Sequence, residues 1–417
     1  MRTEVDSGTL QRIREQAALH FDQLGMPTPK LEAWKYTNLA PIAKVAWRAG
    51  EAPPRPAAPH LLSLSAHAAV ELIFVNGRFT ERHGKTPEGV RIVRFADAQD
   101  DPVFLRHFAR YADYREHALT ALNTANAEDG AFIEVSPGAA VEGFIHLLFA
   151  GSGDEIVSHP RNLIVVGRAA QVSIVETYAG SGRYFTNAVT EIVAGDGSVV
   201  DHAKLECESL DAFHIGTVQV HQERSSNVTA RSFCVGGALV RNETNVALKG
   251  EGASLSLEGL FVLRGTQHAD NHTVIDHVLP RCESHELYKG ILDESSRGIF
   301  DGTIIVRPDA HKTVSRQVNK NLLLSETAIV DSKPTLEIHN DDVKCNHGST
   351  IGQLEEEPLF YLRSRGLGEE EARALLIHAF ASEIVDRIRI EPVREQIRRV
   401  MLQQMPERLP ERGGGTR

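Results

Sequence analysis

A long array of short β-type segments, with no helix between them, constrains the fold of this chain more than any other feature. From Ala131 to about Ile338, runs rich in Val, Ile, Leu and Phe recur every ten to fifteen residues, separated by Gly, Asn, Asp and Ser. The segments are Phe132–Val135, Phe144–Phe149, Leu163–Val166, Val172–Thr177, Ala188–Val193, Val199–Leu205, Ile215–Val220, Val228–Cys234, Val246–Leu248, Leu255–Phe261, Val274–His277, Gly298–Val306 and Leu322–Leu324. Such an array folds as a sandwich, a barrel or a β-solenoid.

The length of the array favours the solenoid. About thirteen strands are more than a simple sandwich holds, and solenoid coils turn through loose corners that need no tight hairpins. The chain shows no strict sequence repeat, although many solenoids have one. We therefore predict a mainly β protein with a β-solenoid core at residues 129–350.

Helical patterns flank the predicted core on its N-terminal side. Apolar residues at helical spacing predict a first helix that begins at Ser7 and ends at Gly25, and a second helical stretch covers residues 101–126. Between them lie a proline-rich linker, 51–60, and a hairpin with a type I′ turn at Asn76-Gly77. All of these belong to a predicted N-terminal region, residues 1–128.

The C-terminal side is also helical. Apolar residues recur at helical spacing from Leu354 onward, which predicts a C-terminal helical domain at residues 351–405. The last residues, 406–417, are polar and glycine-rich, and we expect a disordered tail there.

Composition argues against several classes of function. The formal net charge is −11 and no long basic run occurs, so nucleic acid is not an expected partner. No stretch approaches the roughly 20 apolar residues of a membrane helix, and Met1–Ser7 lack the apolar core of a secretory signal. The four cysteines form no Cys-x-x-Cys pair, which is typical of reduced thiols. We therefore expect a cytoplasmic protein without a membrane partner.

The segment before the C-terminal helices has the most distinctive chemistry. Cys345 and His347 are two residues apart, so both side chains project to one face of an extended strand. A thiolate and an imidazole together suit iron, zinc or an iron–sulfur species. Two ligands do not close a metal site, so the pair would be a half-site that a partner chain completes. The alternative is a buried structural cysteine beside a surface histidine, and the residues alone favour this alternative.

Several motifs, in a fixed order, resemble one known family. They are Lys30–Leu39 with its Trp-Lys-Tyr-Thr, Asn271–Thr273, Lys289-Gly290, Phe300–Gly302, Asn319–Leu324, Leu336–Gly348 and Leu359–Gly366. Together they resemble the SufB/SufD family of the SUF machinery, which assembles iron–sulfur clusters. The segment Asp342–Gly348 is similar to the SufD branch of that family rather than to SufB. The resemblance covers nearly the whole chain.

The resemblance implies both a fold and a function. The fold is a right-handed parallel β-helix flanked by N-terminal and C-terminal helical regions. The function is that of a non-enzymatic scaffold subunit, which pairs with a SufB-like paralogue and docks the SufC-like ABC ATPase. His347, with Cys345 beside it, is implied at the cluster-assembly interface, where a transient iron–sulfur cluster or iron is shared with the partner. The implied ATPase-docking residues are Tyr361, Arg363, Arg365 and Gly366.

The chain itself shows no nucleotide site. It has no Gly-x-x-x-x-Gly-Lys-Ser/Thr loop, so ATP hydrolysis is expected in the partner. A flavin has been associated with complexes of this family, and nothing in these residues marks a site for one.

Two other sets of residues have ordinary structural interpretations. His268, Asp270 and His272 share one strand face, as metal ligands could, but the opposite face carries Ala269 and Ile275. We interpret the His/Asp row as a solvated outer face of the solenoid. The second set is a C-terminal apolar stripe, which either packs on the chain itself or contributes to ATPase docking. Its members are Ala372, Leu376, Phe380 and Ile384.

Two rival functions stay open. One is a metal-free structural homodimer of the same fold, in which solenoids pair edge to edge. The other is a β-helix carbohydrate-active enzyme with carboxylates in a groove on its flank. The chain has only two tryptophans for stacking on sugars, which argues against the second rival.

Overall fold

A parallel β-solenoid of about eight turns forms the centre of the molecule. The computed structural model describes residues 8–51 and 62–404. Strands account for 44% and helices for 21% of the structure. From the second coil onward, successive strands alternate between two facing sheets, so that each coil contributes one strand to each sheet. The predicted solenoid fold, with helices at both ends of the chain, is confirmed.

The two sheets have 11 and 10 strands among the described residues. The first sheet contains β1 (Arg48–Ala49), β4 (Val90–Arg94), β5 (Ala131–Val135), β7 (Ile156–Ser158), β8 (Arg161–Val166), β10 (Tyr184–Ala194), β12 (Phe213–Gln222), β14 (Leu239–Leu248), β16 (His268–His277), β18 (Arg297–Val306) and β20 (Ile329–Ile338). The second contains β2 (Val70–Val75), β3 (Arg78–Gly84), β6 (Ile145–Ser152), β9 (Gln171–Ser181), β11 (Val199–Cys207), β13 (Asn227–Cys234), β15 (Ser254–Leu263), β17 (Glu283–Leu292), β19 (Val314–Leu323) and β21 (Lys344–Gly352).

The length of a coil is not fixed, which explains why the sequence shows no strict repeat. Leu239 pairs with His268 and His268 with Arg297, an advance of 29 residues each time. The next partner of Arg297 is Ile329, an advance of 32 residues. What recurs is the alternation of inward and outward side chains along each strand, because every rung must fill the same core. The core includes Ile174, Val220, Leu257 and Ile304, which are nearly or completely buried.

The solenoid is closed at the end where the chain enters it. The predicted hairpin forms between β2 and β3, with positive φ at both Asn76 and Gly77, as a type I′ turn requires. Strand β2 also pairs in parallel with β6, and β4 pairs antiparallel with β5. Antiparallel strands therefore cap both sheets at this end.

Short helices cover the first sheet near that cap. They are α1 (Thr9–Leu24), α2 (Ala40–Ala43), α3 (Pro102–His107) and α4 (Ala118–Asn126). The stretch predicted as helical at 101–126 is two helices, and the Asp101 carboxylate accepts two backbone hydrogen bonds at the start of α3. Phe104 and Phe108 are fully buried. Ser7, nearly all of the proline-rich linker and the C-terminal tail lie outside the described residues.

Three C-terminal helices follow the last coil: α5 (Glu356–Ser364), α6 (Glu369–Val385) and α7 (Glu391–Gln404). Helices α6 and α7 pack against the outer face of the second sheet, in a cluster with Phe233, Leu260 and Leu287. Among the described residues, no helix is both long and apolar enough to cross a membrane.

Candidate functional site

The last coil, formed by β20 and β21, leaves the solenoid open. Within residues 8–51 and 62–404, β20 pairs only with β18, and β21 pairs only with β19. Both strands therefore have one edge whose backbone groups are free to pair with another chain, except that Pro334 in β20 has no N–H to offer. The two edges are ten and nine residues long and belong to the same coil.

Side chains that would be buried in any other coil are exposed at this end. Val306 in β18 is fully buried, whereas its register partner in β20, Ile338, is 41% exposed. Ile351 in β21 also faces inward and is 49% exposed. Exposed apolar side chains beside unpaired strand edges are typical of surfaces that associate with another chain.

Cys345 and His347 lie on β21 at this open end. Their register partners in β19 are Ser315 and Gln317, which are buried and face the core, so both side chains point inward along the solenoid. The prediction that they share one strand face is confirmed. Leu336 in the facing strand packs on the same core as Cys345, because the bend at 341–342 resets the register between the two strands.

The two side chains differ in exposure. Cys345 is half-buried against the core, and this burial raises the pKa of its thiol, although a backbone hydrogen bond from Ser315 opposes the shift. His347 is exposed, and its ring has no hydrogen-bond partner among the described residues. No group of three metal-binding side chains occurs in the described part of the chain. The pair is therefore an open set of two donors, and its predicted role in cluster assembly stays a prediction.

The interpretation of the His/Asp row as a solvated outer face is wrong. Asp270 is 1% exposed, because Thr37 covers it and donates a hydrogen bond to its carboxylate. Arg241 donates to the same carboxylate over 2.6 Å, and His272 Nε2 lies 2.9 Å from its other oxygen. Burial would raise the pKa of Asp270, but the charges of Arg241 and His272 outweigh it and hold the pKa well below its usual range.

The segment that covers this row is the Trp-Lys-Tyr-Thr motif. The ring of Trp34 lies 3.8 Å from the Arg241 guanidinium, in a cation–π contact. Further along the solenoid, Arg297 lies over the ring of Tyr36, and Lys333 of the last coil lies 3.4 Å from Glu32. We call Glu32–Thr37 the strap, since it crosses the outer face of the first sheet from β14 to β20.

The residues that the resemblance implied for docking lie on and just after α5. None of the residues of α5 is buried, and Phe360 and Tyr361 are 73% and 56% exposed. The Arg365 guanidinium lies over the Tyr361 ring, and Arg363 pairs with Glu369 of α6 over 3.4 Å. Gly366 follows the helix with a φ of +98°, which a glycine adopts without strain.

The C-terminal apolar stripe packs on the solenoid. Ala372 and Ile384 are fully buried, and Phe380 packs against the cluster beneath α6. The Lys289 ammonium lies 4.1 Å from the centre of the Phe380 ring and donates to its backbone carbonyl. The stripe is therefore mainly a packing surface, and α5 offers the exposed apolar residues.

Sequence reasoning missed the charged side chains inside the solenoid. In β11, His202, Lys204 and Glu206 face inward together with Val200. Lys204 Nζ lies 3.0 Å from Glu206 Oε1, and Asn242 donates to the other oxygen over 2.7 Å. The signal was available in the sequence, because these residues have the same parity as core aliphatic residues.

A buried hydroxyl–imidazole–carboxylate chain lies outside the core, against the second sheet. His146 lies 2.8 Å from Thr177 Oγ1 and 2.7 Å from Glu71 Oε1, and all three side chains are fully buried. Ser63 and the backbone of Leu64 donate to the same carboxylate and close the site. No substrate can reach the hydroxyl, so we interpret this arrangement as structural.

Glu286, inside the solenoid at β17, makes stability depend on pH. Burial raises the pKa of its carboxyl to about 7, whereas an unfolded glutamate has a pKa of about 4.3. Its contribution to stability is therefore complete below about pH 4.3 and is lost as the pH rises through about 7. Glu286→Gln removes the charge, so we expect it to raise the free energy of unfolding by up to about 4 kcal/mol at pH 8.

Urea unfolding of the unmodified chain and of its Glu286→Gln variant, at pH 5 and at pH 8, measures this effect. The gain from Glu286→Gln is expected in full at pH 8 and should fall to about 1 kcal/mol at pH 5, while Glu326→Gln, at an exposed position, serves as the control. An equal gain at both pH values would mean that the charge of Glu286 is not its cause.

Comparison with known proteins places this architecture in a class of assembly proteins. A family model described as "SUF system FeS cluster assembly, SufBD core domain" matches residues 149–380, and one described as "SufBD protein N-terminal region" matches residues 2–147. The first covers the solenoid from β6 to its open end and part of α6. The chain belongs to the SufBD family of the SUF iron–sulfur cluster assembly system.

Individual relatives agree with the family over nearly the full length. The chain is 31% identical to the iron–sulfur cluster assembly protein SufD of Escherichia coli, over 96% of this chain and 94% of that protein. It is 32% identical to the SufBD family protein slr0076 of Synechocystis, over 95% and 92%. It is 31% identical to the chloroplastic protein ABCI7 of Arabidopsis thaliana, over 93% and 85%.

Proposed function

We propose that this chain is a scaffold subunit whose open solenoid end pairs with the solenoid of a SufB-like paralogue. The observation that carries the proposal is the last coil, which combines two unpaired parallel edges with exposed inward isoleucines. A second solenoid of similar cross-section satisfies both edges at once and buries these side chains.

The chemistry of the pairing surface supports cluster assembly. Cys345 and His347 bring one sulfur and one nitrogen donor to the edge where the partner would lie. Because two donors bind iron weakly, the partner would complete the ligand set, and the cluster, as the cargo of the complex, would leave again. We propose His347 as the principal donor of this chain and Cys345 as its neighbour in the same half-site.

The exposed face of α5 supports docking of a SufC-like ABC ATPase. Phe360 and Tyr361 are apolar anchors, and Arg363 and Arg365 flank them. Aromatic and arginine side chains are enriched at the centres of protein interfaces. Helix α5 contacts α6, which packs on the solenoid, so ATP-driven movement of the ATPase would reach the pairing surface through these helices.

An anaerobic pull-down of the tagged chain and of its His347→Ala variant tests the proposal. We expect both proteins to recover a SufB-like paralogue and an ABC ATPase, because His347 lies in the half-site and not in the core of the fold. The acid-labile sulfide and iron recovered with the variant should fall by roughly 10-fold. Equal cluster content in both complexes would remove His347 from the site.

The rival homodimer uses the same surface. Two copies could pair through their own β20 and β21 edges, since the open coil is not specific for one partner. Recovery of the chain alone, as a metal-free dimer, would favour this function over the proposed one. Membership of the SufBD family favours cluster assembly over the carbohydrate-active alternative.

A further inference from the structure

Gln317 has a buried acceptor that lacks a partner, one rung beneath His347. The two residues are register partners in β19 and β21, so their side chains stack along the solenoid axis at the roughly 4.8 Å spacing of neighbouring strands. Gln317 is fully buried, and its Oε1 has no hydrogen-bond partner among the described residues. Buried polar atoms are nearly always paired, so this oxygen requires an explanation.

The side-chain nitrogen of Gln317 is held by a residue of β17, the strand on the other side of β19 from β21. Gln317 Nε2 donates to Glu286 Oε2 over 2.7 Å. Gly302 leaves the room that this arrangement needs, because a Cβ at that position would lie only 2.4 Å from Gln317 Nε2. With its nitrogen held by Glu286, the amide keeps its oxygen as the free group.

The neighbouring inward residues of β19 do not share this arrangement. Ser315, beneath Cys345, is hydrogen-bonded to Ser284 over 2.7 Å. Asn319, beneath Ser349, accepts from Asn321 and Ser332. The oxygen of Asn321 is also unpartnered, but it lies beneath the side chain of Ile351, which has no donor.

We propose that Gln317 is a positioning residue for His347, a proposal that rests on the function proposed above. A histidine that binds metal through one ring nitrogen usually donates the N–H of the other to a fixed acceptor, which sets the tautomer and the orientation of the ring. Gln317 Oε1 is that acceptor. It accepts a hydrogen bond from the inner N–H of the His347 ring. The outer ring nitrogen then faces the open end, where iron or the cluster would be shared with the partner.

The test compares three variants of the full chain. Gln317→Met removes the acceptor and keeps the shape of the side chain. Gln317→Glu keeps an acceptor, since two neighbouring carboxyls at 286 and 317 share a proton. Asn319→Leu is the matched control, a buried inward amide of the same strand that lies beneath Ser349.

Two readouts are measured. The first is the tautomer of His347 in the chain labelled with ¹⁵N-histidine, with its signals assigned by their absence in His347→Gln. The second is the iron and sulfide content of the co-purified complex. Gln317→Met is expected to abolish the tautomer preference and to lower the cluster content roughly 10-fold. Gln317→Glu should retain both, and Asn319→Leu should leave the tautomer unchanged.

The outcomes separate the two proposals. If Gln317→Met and the Asn319→Leu control give the same tautomer and the same cluster content, Gln317 does not position His347, whatever His347 itself does. If His347→Ala leaves the cluster content unchanged, the proposed role of His347 in the half-site fails, and the tautomer alone decides whether Gln317 contacts the ring. Should Gln317→Met not fold, Gly302→Ala replaces it, because the added Cβ displaces the amide from within.

Discussion

Replacing Arg241 by methionine is expected to lower the free energy of unfolding by about 3–5 kcal/mol, the usual cost of removing one partner from a buried ion pair. Arg241 is 1% exposed and donates to Asp270, which is equally buried. Without the guanidinium, the carboxylate stays buried beneath Thr37, and His272 is its remaining ion-pair partner among the described residues. The variant also loses the cation–π contact with Trp34. Urea unfolding at pH 7 measures the change.

The matched control is Arg307→Met, directly after the end of β18. Arg307 pairs with Asp276 over 2.8 Å, but its side chain is 48% exposed, and such surface pairs contribute at most about 1 kcal/mol. A double variant, Arg241→Met with Asp270→Asn, should recover part of the loss, because it removes the uncompensated charge. If Arg241→Met costs no more than Arg307→Met, the strap does not seal a buried ion pair.

The strap shows where sequence reasoning reached its limit. The alternation in Ala269, Asp270 and Ile275 correctly predicted which side chains face the core. It could not predict what lies on the outer face, because the covering residues are more than 230 positions away in the chain. A strand pattern reports two faces, and only tertiary contacts decide whether the second face is solvated.

The same limit applies to the candidate site. The two-residue spacing of Cys345 and His347 predicted their common face, and the strand β21 confirms it. The sequence did not show that this strand is the last rung, because nothing in Lys344–Gly352 distinguishes an edge strand from an inner one. The sequence also did not predict that the side-chain oxygen of Gln317 lacks a hydrogen-bond partner. Whether a buried acceptor is paired depends on the neighbouring strands and not on its own segment.

The second large effect is expected at the open end itself. Lysines at Ile338 and Ile351 should weaken association with a SufB-like partner by roughly 100-fold or more, because two charges would be buried without partners in the paired interface. In the single chain, Ile338 is 41% exposed and Ile351 is 49% exposed, so the variant should still fold on its own. Binding of the purified partner, measured by calorimetry, gives the affinity, and circular dichroism checks the fold.

An equally exposed apolar residue far from the open end provides the control. Leu19 in α1 is 61% exposed, and Leu19→Lys should leave the affinity for the paralogue unchanged. Binding of the ATPase provides a second control. Because α5 lies outside the pairing surface, the variant with lysines at Ile338 and Ile351 should still bind the ATPase. Loss of the paralogue with retention of the ATPase would separate the two surfaces on one chain. Undiminished affinity for the paralogue would mean that the two solenoids do not meet at this end. Another chain would then have to pair with the unpaired edges of β20 and β21, and a second copy of this chain would be the first candidate to test.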